Sequence, residues 1–563
     1  MRLINTSTYN FEEFIGRDIP PYAILSHTWE TEEITYQDYA NHACKHSKGF
    51  AKVIKTLEIA EASGIRYAWV DTCCIDKRSS AELTEAINSM YSWYQRSEIC
   101  YAFLSDLEAD ADLQADLPHC RWFTRGWTLQ EFIAPRTVYF YDCDWQYRGS
   151  KESLSTMLCR ISGIEEDILL HQRSLHSICV AQKMSWASSR QTTRIEDAAY
   201  SLLGLFGVNM PLLYGEEERA FLRLQEEIIK SSSDLSILAW TDSTNQAIRE
   251  HSSELHCGVL AKSPAQFSMA GSICGSLGAD FVGESSVTNQ GIRLNISLCI
   301  VNDSILKKKS YMMPLHCKSA SGTELGIRLE KIGDEMFLRN DPCSLVEYDP
   351  ASSTLAPRFM YLAIRVPHAL SVDNEPNQYV TAKSLASLRT LVLALDFRTD
   401  VNIYDYWGIY NHCNQTFFES SGRSREWVAL RFSAHVFSRD VVGTGGIETR
   451  VSDANVDCML FVTGWTSNSE HDMRYYLVNV VEHANAVAEV QKFFKSWQHD
   501  GFPAQAILDH YLPDTSSIEM NVPGSDLTYN ITVKSAIVAD TAICSRPFWK
   551  LQITRSIKLD LDF

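Results

Sequence analysis

Tyr22-Ala-Ile-Leu-Ser-His-Thr-Trp29 is a short apolar run that follows Pro20-Pro21 and then turns abruptly polar. Runs of this kind read as strands buried on both faces of a sheet. Three more follow: Tyr67-Ala-Trp-Val70, Ile99-Cys-Tyr-Ala-Phe-Leu104 and Val138-Tyr-Phe-Tyr141. Between them lie segments of helical period. Gly49 to Ala62 carries Val53, Ile54, Leu57 and Ala60 on one face, with Gly64 placed as a C-cap. Ser80 to Tyr94 carries Leu83, Ile87, Met90, Tyr91 and Tyr94, with Ser79 or Ser80 as N-cap. Phe123 to Ile133 reads as a third helix, ended by Pro135. Strands alternating with helices predict a mainly parallel α/β sheet over residues 1–150, with helices on both faces.

Residues 151–245 read as helices: Leu154–Ile161, Ala181–Trp186, Glu196–Leu205 and Glu216–Lys230. The stretch Asp197–Leu205 is apolar nearly all round, so it should be buried against the sheet domain. Residues 250–563 turn to short alternating segments, such as Ile292–Leu298, Arg358–Arg365, Glu426–Phe432 and Met459–Thr463, interrupted by one amphipathic helix near His483–Trp497. That pattern predicts a β-rich, sandwich-like C-terminal domain.

The chain has 563 residues and a formal net charge of −19. An acidic balance argues against a nucleic-acid-wrapping surface. No run of about 18 apolar residues predicts a membrane span. The 16 cysteines form no CxxC pair, and no apolar leader is legible after Met1, so reduced thiols and a cytoplasmic location are expected. There is no phosphate loop of the GxxxxGK[ST] type, no HExxH helix and no GxSxG elbow. Gly443-Thr-Gly-Gly446 reads as a turn, and the pair His42/His46 as solvated surface, so no metal is expected.

Polar residues collect instead at three strand ends: Ser26-His27-Thr28-Trp29, Asp71-Thr72-Cys73-Cys74-Ile75-Asp76-Lys77 and Ser105-Asp106. Ligands of open α/β sheets bind outside the carboxyl ends of strands. The readings compete with local ones, in which Asp71 and Asp76 cap helices and His27 is a satisfied turn residue. A second cluster is Cys120-Arg-Trp-Phe-Thr-Arg-Gly-Trp-Thr-Leu-Gln-Glu131. On one helix Trp127 and Glu131 share a face, and a carboxylate beside an indole loses hydration, which raises its pKa. The bland alternative is a structural pair of Glu131 with Arg121, Arg125 or Arg136.

The blocks Tyr22–Trp29, Gly64–Lys77 and Arg125–Glu131 resemble, in order and spacing, the three signature blocks of the fungal heterokaryon-incompatibility (HET) domain. Met184–Gly204, continuing to Glu216, resembles the helical region that commonly follows it. The resemblance implies a role in the programmed death of fused, incompatible fungal cells. HET domains have been likened to Toll/interleukin-receptor (TIR) domains, which have a flavodoxin-like sheet and some of which cleave NAD with a Glu that follows a Trp by four residues. Trp127 and Glu131 match that spacing, with Thr128 where the TIR block has Cys. The resemblance implies catalysis by Glu131 and binding of NAD, as substrate rather than cofactor, by Ser26, His27, Trp29, Asp71, Cys73 and Trp127. The alternatives are a non-enzymatic signalling or homo-oligomeric assembly module with a β-rich sensor, and a metal-dependent hydrolase using His27, Asp71 and Asp76.

Overall fold

In the computed structural model the chain opens with a hairpin, β1 (Arg2–Asn5) and β2 (Phe11–Glu13). The four apolar runs follow as β3 (Ala23–His27), β4 (Tyr67–Trp69), β5 (Ile99–Phe103) and β6 (Val138–Tyr141), and β7 (Tyr147–Ser150) closes the sheet. The structure describes residues 1–366 except 17, 42–46, 243–254, 276–283, 304–307, 334, 351–354 and 356, then Asn485 and the backbone of separate strands between 380 and 559. The pair His42/His46, the loop Gly443–Gly446 and the expected helix His483–Trp497 lie outside the described residues, Asn485 apart.

The sheet order is β2-β1-β4-β3-β5-β6-β7. β4, β3, β5 and β6 run parallel to one another. The hairpin and β7 are antiparallel additions at the two edges, which local sequence pattern did not reveal. Every residue of β3, β4 and β5 is buried, as strands covered on both faces require.

Helices α1 (Tyr36–Ala40) and α2 (Lys48–Ala62) lead from β3 to β4. Helices α3 (Asp71–Cys74) and α4 (Ser80–Arg96) lead from β4 to β5, on the other side of β3. Right-handed crossovers that depart in opposite directions put α2 and α4 on opposite faces. The alternation along β5 agrees: the Cys100 thiol faces the Glu131 carbonyl, while the Tyr101 hydroxyl reaches Ser63 at the end of α2. Ser47 caps α2 through the Phe50 amide, and Gly64 just past its end takes the left-handed conformation, with φ +76°. Ser79 caps α4.

From β5 the chain passes α5 (Leu113–Asp116) and a 3-10 turn, Arg121–Thr124, before α6 (Thr128–Ile133). The continuous helix expected from Phe123 is therefore broken. The break lies where Gly126 donates its amide to the Gln191 carbonyl (2.9 Å), a partner too distant in sequence to leave a local signal.

Six helices follow: α7 (Ser155–Ser162), α8 (Glu166–Leu169), α9 (Val180–Ser185), α10 (Asp197–Tyr200), α11 (Leu203–Phe206) and α12 (Arg219–Ser231). The single helix expected over 196–205 is the pair α10 and α11. Gly204 of α11 rests on Tyr91 of α4, and a Cβ there would stand 2.0 Å from that of Tyr91. Beyond α12 the chain is β-rich, with sheets of 11, 6 and 4 strands. One continuous cluster of buried side chains runs from Leu3 to Leu362, so the parallel sheet, the helices and the first antiparallel strands share a core. Fully buried Arg339 joins them, donating to the carbonyls of Leu238 (2.9 Å) and Trp240 (2.5 Å). No helix among the described residues is long and apolar enough to cross a membrane.

The Gly204 contact sets an expected outcome. Gly204→Val should destabilise the chain by about 1–3 kcal/mol through overpacking against α4. Thermal unfolding with Gly204→Val in the wild-type and Tyr91→Gly backgrounds checks it: with the Tyr91 Cβ removed, Gly204→Val should cost less.

Candidate functional site

β3 sits between β4 and β5, and the connections leave it in opposite directions, so a crevice opens at its carboxyl end. Successive side chains there face opposite ways. Ser26 and His27 accordingly enter two different clusters.

On the α4 and α6 face, the Ser26 hydroxyl donates to Glu131 Oε2 at 2.5 Å and accepts from Trp122 Nε1 at 2.7 Å. Ser26 and Trp122 are fully buried, and Glu131 is 7% exposed. Burial pushes the Glu131 carboxyl up to about 8; the Ser26 hydrogen bond opposes this, the Asp71 charge adds to it, and Tyr94 and Arg190 oppose it. Burial also brings Arg190 down to about 10. The arginines proposed from sequence as Glu131 partners are engaged elsewhere or face solvent. Arg121 pairs with Glu30 and Asp106, Arg125 donates to Thr193, and Arg136 is exposed.

The Trp127 indole is not the one at this cluster. It is directed to Asp197 of α10, where its hydrogen bond opposes the rise that burial imposes on that carboxyl. Trp127 caps α6 with helical dihedrals (φ −61°, ψ −36°), so the i, i+4 spacing to Glu131 stands within one helix, but the two side chains take different partners: Trp127 goes to Asp197 and Glu131 to Ser26. Trp122 takes the place beside Ser26. The sequence held two tryptophans near Glu131, and their partners distinguish them: Trp122 bonds Ser26 and Trp127 bonds Asp197.

On the α2 face, the buried His27 ring lies between two carboxylates: Nε2 is 3.5 Å from Glu33 Oε2, and Nδ1 is 3.8 Å from Asp71 Oδ1. Burial would raise Glu33, but His27 and then Lys52, which is 2.5 Å away, overcome it and bring the carboxyl down to about 2. Trp29 is 52% exposed. Its Nε1 donates to Asp71 Oδ2 at 2.8 Å, and Lys77 Nζ lies 3.4 Å from its ring centroid. Trp29, Glu33, Lys48, Lys52 and Arg121 border a cleft of about 480 Å³. His27 Nε2, Thr28 Oγ1 and Asp71 Oδ1 are buried without a hydrogen-bond partner. Asp71 links the two faces, since its charge also raises Glu131 and Tyr94.

Cys73 stands apart from both clusters. It is wholly buried, its thiol faces the Val70 carbonyl (3.8 Å), and burial pushes that thiol far up, so it offers no surface to a ligand. Asp76 turns to Gln37 and Arg78. Among the described residues no group of three or more His, Cys, Asp or Glu is arranged to hold a metal ion.

A family model for the heterokaryon incompatibility protein (HET) matches residues 22–119. The chain carries a fungal HET domain. The vegetative incompatibility protein HET-E-1 of Podospora anserina is 44% identical over 234 residues, which are 40% of this chain and 17% of that protein. The chain thus spans under a fifth of that relative's length. A domain of unknown function (DUF8212) matches residues 219–321, from α12 into the antiparallel strands. No solved structure matches. The HET match contains both strands of the crevice, β3 and β5, with Ser26, His27, Trp29 and Asp71; Trp122 and Glu131 lie beyond its end.

The raised Glu131 carboxyl has a consequence for stability. The folded HET-domain chain holds that proton up to about pH 8, whereas its ordinary value is 4.5, so between these values stability falls as pH rises. Glu131→Gln should remove this slope, raising the melting temperature at pH 8 and changing it much less at pH 5. Melting curves of both forms across that range test it.

Proposed function

We propose that this chain acts in heterokaryon incompatibility, as a cytoplasmic effector of the death of incompatible fused fungal cells, by hydrolysing the nicotinamide–ribose bond of NAD at Glu131. The observation that carries the reading is the buried Glu131 carboxyl, tied to Ser26 at the carboxyl end of β3 and pushed up to about 8. Strongly perturbed carboxyls at such places mark functional sites. The similarity to a vegetative incompatibility protein of Podospora anserina supports the incompatibility role. The order of the four parallel strands, second-first-third-fourth, supports a flavodoxin- or TIR-like reading of the sheet. The β-rich remainder would then be a sandwich-like sensor.

The chemistry follows from charge. Nicotinamide in NAD is cationic, and a cation brought beside Glu131 lowers its pKa, so arrival of the substrate ionises the carboxyl. The glycosidic bond breaks with its electron pair leaving on nicotinamide, and positive charge develops on the ribose. The Glu131 carboxylate stabilises that charge, and water then adds to the ribose carbon and releases a proton. Trp29, braced by Asp71 and Lys77, offers an aromatic face to a base.

A non-enzymatic reading draws on one observation, the near-complete burial of Glu131 and Ser26, which suits a structural carboxyl in an assembly module. NAD consumption by the full chain separates the two. Glu131→Gln should lose at least about a hundredfold in rate while staying folded. Trp29→Ala should weaken substrate binding about tenfold, the lower end of a stacking contact. For the wild type, kcat/KM should climb with pH until about 8, as Glu131 ionises in the free enzyme. No turnover by the wild type, even after forced oligomerisation, would hand the function to the assembly reading.

A further inference from the structure

The segment 186–194, which continues from the end of α9, lies against the turn that leads into α6. Gln191 donates its amide to the Thr124 carbonyl (2.7 Å) and accepts from the Gly126 amide (2.9 Å). Gly126 leaves no room for a side chain here: an added Cβ would stand 2.5 Å from Thr192 Cγ2. Arg190 is half-buried between the two strands of this contact. Its Nη1 donates to the Arg125 carbonyl at 2.8 Å and to Thr128 Oγ1 at 2.9 Å, and its Nε to the Trp186 carbonyl at 3.3 Å. The single proton of the Thr128 hydroxyl is within reach of two carbonyls, Trp122 at 2.5 Å and Arg125 at 2.9 Å, the former being the nearer. One guanidinium thus holds the first residue of the helix that carries Glu131 and, through Thr128, the backbone of the tryptophan that donates to Ser26.

The other end of α9 is held from farther along the chain. Asp234 accepts from the Val180 amide (2.7 Å), Ser236 from the Ala181 amide (3.0 Å), and the Ile273 carbonyl from the Cys179 thiol (3.3 Å). We propose that Arg190 is a positioning residue of the Glu131 site, and that segment 186–194 makes this site depend on the seating of α9 against the region that follows.

The groups facing Glu131 come from every side: Ser26 from β3, Asp71 from α3, Tyr94 from α4, Cys100 from β5, and Arg190. Lys151 acts on Cys100, but sits at the far end of α6 on the carbonyls of Ile133 and Pro135, where His171 also bonds. The Arg190 charge favours the ionised form of Glu131 over the protonated one.

A double-mutant cycle on the full chain tests this, with Arg190→Met and Glu131→Gln measured singly and together by denaturant unfolding at pH 5 and pH 9. With Glu131 present, Arg190→Met should shift the unfolding equilibrium about tenfold further at pH 9 than at pH 5. With Glu131→Gln the shift should be equal at both pH values, and titration of Lys151 cancels between the two arms. Arg190→Lys, which keeps the charge, should restore the pH-dependent part; it also supplies the reading if Arg190→Met does not fold. Asp234→Ala, which uncaps α9 away from the site, should shrink the coupling. Equal shifts at both pH values in both backgrounds would reduce Arg190 to a structural brace and overturn the proposal. Coupling untouched by Asp234→Ala would overturn its dependence on α9. The cycle needs no substrate. Absence of NAD turnover would thus sink the catalytic reading and leave this one standing, and where turnover exists Arg190→Met should lower kcat with KM nearly unchanged.

Discussion

Taking a carboxyl out of water is costly unless its charge is neutralised or its oxygens are bonded, and the N-terminal half of this chain does both around Glu131. Ser26 donates to it, Trp122 fixes Ser26 from behind, and Arg190 brings a positive charge from the helical region, while Asp71 pushes toward the protonated form. Each requirement constrains a different element. β3 must end with Ser26 on the α6 face. The chain before α6 must turn so that Trp122, rather than Trp127, points inward. The segment after α9 must come back to the sheet. A polar cluster of this kind is satisfied as a set or not at all, because in a low-dielectric interior each missing partner leaves another group exposed to the full desolvation penalty.

The strand alternation gives neighbouring residues different chemistry. Ser26 serves a neutral, buried carboxyl, and His27, one residue later, enters an ionic cluster with Glu33, Lys52 and Asp71 bordering an open cleft. Asp71 is the member common to both, placed at the start of α3 just past β4, where it touches His27 and Trp29 and is felt at Glu131.

The parallel strands were legible because burial on both faces leaves short, unbroken apolar runs such as Ala23–Leu25 and Ile99–Phe103. The helices α2 and α4 were legible from period and caps. The hairpin β1–β2 and strand β7 were not, because their residues are mixed in polarity and their pairing is set by contacts distant in sequence. In the site, Ser26 and Glu131 were singled out from strand-end and helix position, and the structure brings their oxygens to 2.5 Å. Trp122 and Arg190 were missed for one reason. Both are placed by the contact between Gln191 and the turn before α6, which joins segments too far apart in sequence for a local spacing rule to detect.

The two antiparallel additions also set what the rim of the N-terminal sheet presents. The outermost strands of the N-terminal sheet, β2 and β7, are three and four residues long, and β2 carries Glu12 and Glu13. Such stubs offer few free amides and carbonyls, and they stand between the rim and the parallel strands. Strand-to-strand templating of the amyloid kind is thereby discouraged at this sheet. An assembly built from the HET domain would be left to its helical surfaces, whose contacts are side-chain-specific and can therefore discriminate one variant from another.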